Sequence, residues 1–400
     1  MEILVVGNGF DLEHGLPTSY IDFLKYCTEK KYLNKDDNNE FNTLRDEFSR
    51  LVIDNMWLKY FLEIESRNKE NRKKTWIDFE NEIYLLINSL NISEVENGDL
   101  CFKIIDITSK LSKYDPNLSV NYGDLQIKSF HDMFKNFPRL YFSDTDNLID
   151  VNIISEFFYD QLCNFIRLFE IYCIVEINVI LKNMLADQVG DHEVNREKFS
   201  KIKFDCVLSF NYTNTYPLLY GNDGTKYCYI HGKAQEDSLK TNLVIGINDY
   251  LVKGKESEDF LFVKLKKYFQ RIIKKTGSEY KDWLNKTLYR SLPLNQGGLQ
   301  KIDDDNYYRK KNTIHFVGHS LDKTDYESLY EIVTNNRFKI IFYYYCNEDF
   351  IMKVQKVIKL LSYNGENGRD ILIKRVHGED WSIKFVDQYD EKEGLFARKK

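Results

Sequence analysis

Proline is scarce in this chain, at five of 400 residues, and no two cysteines form a Cys-x-x-Cys pair. The seven cysteines (Cys27, Cys101, Cys163, Cys173, Cys206, Cys228 and Cys346) are odd in number and scattered, which argues against a structural zinc site or a disulfide framework. No apolar run approaches the roughly 18 residues needed to cross a bilayer. Met1-Glu2 leads into a brief apolar run and then Asp11 and Glu13, without a basic leader. A cytoplasmic protein with no signal peptide, membrane helix or membrane partner is therefore expected. Net positive charge is missing too: the formal charge is −6, so there is no general attraction to phosphate backbones and nucleic acid is not an expected partner. The one basic stretch, Lys264, Lys266, Lys267, Arg271, Lys274 and Lys275, reads first as a solvated helix face. Neither a Walker A lysine motif nor a G-x-S-x-G elbow occurs, which sets aside P-loop phosphate chemistry and serine hydrolysis.

What is plentiful is apolar and aromatic volume. With 43% hydrophobic residues, 28 Tyr and 27 Phe, the chain has ample material for a core, and its length suits one large domain carrying an insertion. Ile3-Leu4-Val5-Val6 is a short β-branched run ended by glycine, as for a strand buried on both faces of a parallel sheet. A helix should follow from about Thr18 to Lys30, with Thr18 or Ser19 as its N-cap. From about 40 to 200 strand signals are absent and helical spacing recurs, as at Phe79, Ile83, Leu86 and Ile87, and from Ile153 to Leu185. Strand signals return at Cys206-Ser209, Tyr227-Ile230, Leu243-Gly246, Thr313-Val317 and Lys339-Tyr345. Helices are expected over Glu258 to about Tyr289 and over Tyr326 to Thr334. The alternation predicts an α/β, Rossmann-like, mainly parallel sheet formed by residues 1–35 and 200–400, with a mostly helical insertion at 36–199.

In such a sheet ligands bind beyond the carboxyl ends of the strands. Four polar segments fall there: Gly7-Asn8-Gly9, Asn211-Tyr212-Thr213-Asn214, His231-Gly232 and Gly318-His319-Ser320. Gly7 and Gly9 permit a tight turn and close approach of a phosphate to a helix N-terminus, or simply end a buried strand; Leu12 stands where a third fingerprint glycine belongs. Asn211 can donate and accept without charge, and is also an ordinary turn residue. His231 has the titration range of a general base, and His319 sits where Asp325 would orient or charge a neighbour; one of the two histidines would then only hold a loop. Asp78 and Glu80 are two apart and so do not share a helix face, which leaves Trp76 and Phe79 as packing residues and Glu80 as a candidate to overhang the crevice.

Five ordered segments, Gly7 through Tyr20, Trp76 with Glu80, Phe210-Asn211-Tyr212-Thr213-Asn214-Thr215, Ile230-His231-Gly232 and Gly318-His319-Ser320-Leu321-Asp322, resemble the AbiH family of bacterial phage abortive-infection proteins. They are also similar to a distant sirtuin pattern, in which a glycine turn is followed at this spacing by Gly-Ile-Pro, an Asn motif and His-Gly. The resemblance implies a sirtuin-like NAD pocket, with NAD as substrate or ligand. It assigns catalysis to Asn211 and His231, and nucleotide contacts to Gly7, Asn8, Gly9, Phe10, Asp11, Gly15, Pro17, Thr18, Asn211, Gly318, His319 and Ser320, with no metal. Asp11 replaces the sirtuin serine, Thr18-Ser19-Tyr20 replaces Asp-Phe-Arg, and the paired zinc cysteines are missing, so protein deacylation is disfavoured. Asp11 would put negative charge beside a pyrophosphate unless it faces a ribose hydroxyl or pairs with a cation.

Three functions follow from these residues. The first is an antiphage enzyme that hydrolyses the N-glycosidic bond of NAD, with His231 deprotonating a ribose hydroxyl or a water. The second is a non-catalytic nucleotide-binding sensor or scaffold, answering to a phage-derived trigger or a defence partner protein. The third is a metal-dependent nuclease built on Asp11, Glu80, Asp322 or Asp325. A homo-oligomer is expected in each case.

Overall fold

The computed structural model describes residues 1–33, 41–53, 55–70, 78–89, 92–94, 100–103, 148–186, 198–199, 201–247, 262–286, 312–376 and 381–396. The chain divides into two compact units, one of Met1–Phe23, Glu170–Leu243 and Lys274–Lys400, the other of Leu24–Phe169 and Val244–Ile273. Residues 244–247 and 262–273, expected in the Rossmann-like part, thus cluster with the helical unit.

The first unit is built on six parallel strands: β1 (Glu2–Val6), β2 (Cys206–Ser209), β3 (Lys226–Tyr229), β4 (Thr313–Val317), β5 (Lys339–Tyr344) and β6 (Ile383–Asp387). Their order is β3-β2-β1-β4-β5-β6, the doubly wound order of Rossmann folds. The order in which successive strands are added along the sheet reverses between β1 and β4, so the switch point lies where Gly7 and Gly318 end those strands. Ile3 and Val5, Cys206 and Leu208, Ile314 and Phe316, and Ile340 and Phe342 share one buried face. The residues between them, Leu4, Val6, Val207 and Val317, are buried on the other. Two buried faces explain why β1 reads as a continuous apolar run and β4 as one interrupted only by His315.

Labelled helices of this unit are α1 (Asn8–Glu13), α2 (Thr215–Tyr220), α3 (Glu279–Lys286), α4 (Tyr326–Val333), α5 (Asn347–Leu361) and α6 (Gly368–Val376). Tyr280, Trp283 and Leu284 of α3, Leu329 and Ile332 of α4, and Leu360 and Leu361 of α5 close over the first sheet face. Each such side chain contributes roughly 1.5–3 kcal/mol by leaving water. On the other face Phe10 packs among His14, Phe199, Tyr216, Tyr220 and Phe396, with ring centroids 4.6–6.2 Å away.

The second unit contains helices Asn42–Leu51, Met56–Glu70 and Phe79–Ser89. Phe61 stacks on Phe79 with centroids 4.3 Å apart, and Phe165 meets both edge-on at 5.0–5.1 Å. The segment expected to lack strands holds three short antiparallel ones, Ile92–Glu94, Leu100–Lys103 and Leu148–Asp150, which are too brief to show a periodicity. The long helix expected from Ile153 to Leu185 is present as Val151–Tyr172 and Asn178–Ala186, joined by a π-helical turn at Cys173–Ile177.

Three further expectations are corrected. Leu243-Val244-Ile245 is fully buried but is not a strand: the carbonyl of Leu243 accepts from Lys274 Nζ and that of Ile245 from Gln270 Nε2, so side chains replace a neighbouring strand. The basic stretch is not a solvated face, because Lys266 and Lys267 are both buried and Lys267 Nζ lies 2.6 Å from Glu80 Oε2. Glu80 is thereby committed to an interior ion pair, while Trp76 lies outside the described residues. Described residues of the helical stretch after Glu258 are broken at Lys275 and Gly277, both in the left-handed region. Ser19, as expected, caps helix Tyr20–Thr28, its Oγ accepting from the Asp22 amide at 3.2 Å.

Candidate active site

The turn after β1 is shaped by the end of β4. Gly7 N–H donates to Val317 O at 3.1 Å and Gly9 N–H to Gly318 O at 2.8 Å. A Cβ on Gly7 would lie 2.6 Å from His319 Cα, and one on Gly9 would lie 2.8 Å from Gly318 O. The space left by the missing side chains is therefore filled by the chain itself. α1 then returns within a few residues to Gly15 (φ 73°), and Thr18 Oγ1 donates to Asn8 Oδ1 at 2.7 Å. That bond, with Leu16 N–H on Asp11 O at 3.1 Å, accounts for the fixed distance from Gly7 to Gly15-Leu16-Pro17. Pro17 O accepts from the Tyr172 hydroxyl.

Asn211 reaches across from the end of β2, its Nδ2 donating to Gly7 O at 3.1 Å, and Ser209 Oγ accepts from its amide at 3.1 Å. Asp11 is turned inward and fully buried, with Thr213 Oγ1 donating to Oδ2 at 2.6 Å and Thr215 Oγ1 donating to Thr213 at 3.1 Å. Its charge is therefore not presented beyond the turn, where a pyrophosphate was expected to meet it. Asp11, Ser209, Asn211, Thr213 and Thr215 line a cavity with room for about one water. Burial raises the Asp11 carboxyl to about 6, against the lowering effect of its hydroxyl and amide neighbours. The folded protein holds this proton more tightly than the unfolded chain, so Asp11 lowers stability as pH rises from about 4 to about 6 and the loss persists above that. The full effect is on the order of 3 kcal/mol. Asp11→Asn is expected to melt above the wild type at pH 8, with the gap closing by pH 4, in thermal scans across pH.

A second cluster forms beyond β3 and β4. His231 Nε2 lies 3.0 Å from Asp325 Oδ1, and His319 Nε2 lies 3.9 Å from Asp325 Oδ2. His319 Nδ1 accepts the Leu321 amide proton at 2.9 Å, so the neutral ring carries its own proton on Nε2. Burial pushes its pKa down to about 4, outweighing the pull of Asp325 and Asp322, so it stays neutral near pH 7. A divalent metal at His319 Nε2 would require that proton to leave or to move to Nδ1 at the cost of the Leu321 bond, which argues against a two-histidine, one-carboxylate centre. Among the described residues no group of three metal-ligating side chains is assembled. The Phe210 ring packs edge-on against His319, with centroids 4.3 Å apart, and lies 5.7 Å from that of His231.

The loop carrying His319 and Asp325 is pinned by Lys356 of α5, whose Nζ donates to Ser320 O at 2.8 Å and lies 2.5 Å from Asp322 Oδ1. Leu321, buried within it, has a φ of 56°, a left-handed conformation unfavourable for a branched side chain. Of the expected site residues, Gly7, Gly9, Asn211, Gly318 and His319 come together at the switch point. His231 joins them through Asp325. Phe10 and Asp11 lie in the interior, while Asn8, Gly15 and Ser320 are exposed at the rim.

The sequence sets Asp325 beside His319 and among the carboxylates of a metal site, and nothing local ties it to His231. The residue with the clearest partnership to His231 lies 94 positions away. No helix among the described residues is long and apolar enough to cross a membrane. Compared with known proteins, the chain matches a family model described as bacteriophage abortive infection AbiH over residues 3–345. No curated protein and no solved structure matches it.

Proposed function

Because the chain belongs to the AbiH family of bacteriophage abortive-infection proteins, we propose that it acts in phage defence by hydrolysing the N-glycosidic bond of NAD. The observation that carries this reading is the His231–Asp325 pair at the carboxyl end of a Rossmann-ordered sheet. With Asp325 holding the Nε2 proton, Nδ1 is the basic nitrogen of the neutral His231 ring. As the bond from ribose C1′ to the nicotinamide nitrogen breaks, its electron pair neutralises the pyridinium and positive charge develops on the ribose. A water adds at C1′ and gives its proton to His231, and Asp325 stabilises the imidazolium formed. Asn211, fixed by Gly7 and Ser209, supplies an uncharged hydrogen-bonding group for a ribose hydroxyl.

The Gly7 and Gly9 amides are already engaged by Val317 O and Gly318 O, so in either reading, hydrolysis or nucleotide binding without turnover, phosphate recognition falls to other groups. Incubation of purified protein with NAD, with and without lysate of phage-infected cells, separates the two. Chromatography is expected to show nicotinamide release by the wild type and its loss in both His231→Ala and Asn211→Ala. Absence of release under every condition rejects hydrolysis, and saturable NAD binding by calorimetry without turnover would then support the sensor.

A further inference from the structure

The segment after His231 is held far more firmly than a surface loop requires. Gly232 adopts a φ of 77°, and a Cβ there would lie 2.0 Å from Asn242 O, so the two ends of the segment are packed together. Asn242 Oδ1 accepts from the Lys233 amide at 2.9 Å, closing residues 232–242 on themselves. Ala234 N–H donates to Tyr212 O at 3.0 Å, which ties the segment to the residue after Asn211. Between these links sits Glu170, a wholly buried carboxylate near the end of helix Val151–Tyr172. Its Oε1 accepts from the Gln235 amide at 2.9 Å and its Oε2 from Thr241 Oγ1 at 2.6 Å. One carboxylate thus grips both limbs of the segment, by a backbone amide on one side and a hydroxyl on the other.

The helix leaves regular geometry immediately afterwards. The π-helical turn Cys173–Ile177 begins three residues beyond Glu170. Such turns change the direction in which the flanking side chains project and are frequent near functional sites. A buried carboxylate accepting two short bonds is a costly device for ordering a loop tip that is itself exposed at Glu236–Lys240. Its two bonds fall on Gln235, four residues beyond His231, and on Thr241, next to Asn242.

We propose that Glu170 is a positioning residue for His231: by bonding Gln235 and Thr241 it fixes the 232–242 segment and so holds the imidazole on Asp325. The role rests on the reading of His231 as the base, but it makes a claim about His231 geometry that is measurable without turnover. In a reaction that depends on a fixed base, a displacement of about 1 Å costs on the order of a hundredfold in rate.

Glu170→Ala removes both acceptors at once, whereas a glutamine would still accept from the Gln235 amide and donate to the Thr241 hydroxyl. Thr241→Val removes one bond and leaves the carboxylate in place, so it serves if the first variant does not fold, and Thr241→Ser restores the hydroxyl. The test reads His231 directly, by the imidazole resonances of histidine-labelled full-length protein titrated over pH and by amide exchange of residues 233–242. Both disruptive variants are expected to shift the His231 titration and to speed exchange in this segment about tenfold or more, with the β1 and β4 amides unchanged and Thr241→Ser close to wild type. Where the wild type releases nicotinamide, kcat should fall about a hundredfold with KM little altered. An unchanged His231 titration in Thr241→Val overturns the proposal, whatever the exchange of the segment. Lack of nicotinamide release by the wild type rejects the hydrolase reading alone, because the resonance and exchange measurements still decide the role of Glu170.

Discussion

Asp325→Asn is expected to lower the rate of nicotinamide release about a thousandfold while leaving the fold intact. Two N–H groups converge on this carboxylate: His231 Nε2 at 3.0 Å from Oδ1, and His319 Nε2 at 3.9 Å from Oδ2. The proton on His319 Nε2 follows from the Leu321 amide bonded to Nδ1, so that ring cannot turn acceptor without losing the bond. An asparagine has one oxygen to offer. Turned toward His231, it leaves its NH2 facing the His319 donor; turned the other way, it forces His231 into the tautomer whose Nδ1 is protonated and no longer basic. Either orientation removes the negative charge that stabilises an imidazolium formed during the reaction. Comparison of kcat for wild type and variant checks the statement. A variant with kcat within about threefold of wild type would remove Asp325 from the mechanism.

The sheet was legible because burial on both faces leaves a strong local signature. Cys206–Ser209 and Thr313–Val317 are strands over the very residues that the apolar runs predict, and glycine or a polar turn ends each run. Leu243-Val244-Ile245 carries the same signature and is not a strand, because burial alone does not say whether carbonyls will find a strand or the side chains of Lys274 and Gln270. Lys267 misled for a related reason. A lysine in a basic run reads as solvated, and only the fold reveals that Glu80 awaits it in the interior. At the candidate site, His231 and His319 stood out as titratable groups after strands, yet their difference did not. It arises from a local hydrogen bond to Leu321 and from burial, neither of which a sequence displays. Glu170 and Asp325 were the least visible, since each works on a partner more than sixty residues distant.

Gly318→Ala is expected to cause a large loss of stability in the first unit. The residue has a φ of 64°, and an added Cβ would fall 2.0 Å from Phe10 N and 2.5 Å from Gly9 C. Both are backbone atoms, so no side chain can swing aside to make room. Moving them would break the bond from Gly9 N–H to Gly318 O and shift Phe10, which is buried among five rings. Gly15 provides the control: its φ of 73° is just as unfavourable for alanine, but nothing lies within 4 Å of the added carbon. Gly15→Ala should therefore cost only the conformational part, about 1–2 kcal/mol. Gly318→Ala adds steric overlap to that and should exceed about 4 kcal/mol, a size reserved for a few named mechanisms. Melting temperature and soluble yield of the two variants, measured side by side, test the difference. Equal behaviour would mean that the β1 and β4 turns are not packed as described. Because the same overlap displaces the loop that begins with His319, any surviving folded Gly318→Ala should also lose the His231–Asp325 contact. Its histidine resonances should then resemble those of Asp325→Asn more than those of Gly15→Ala.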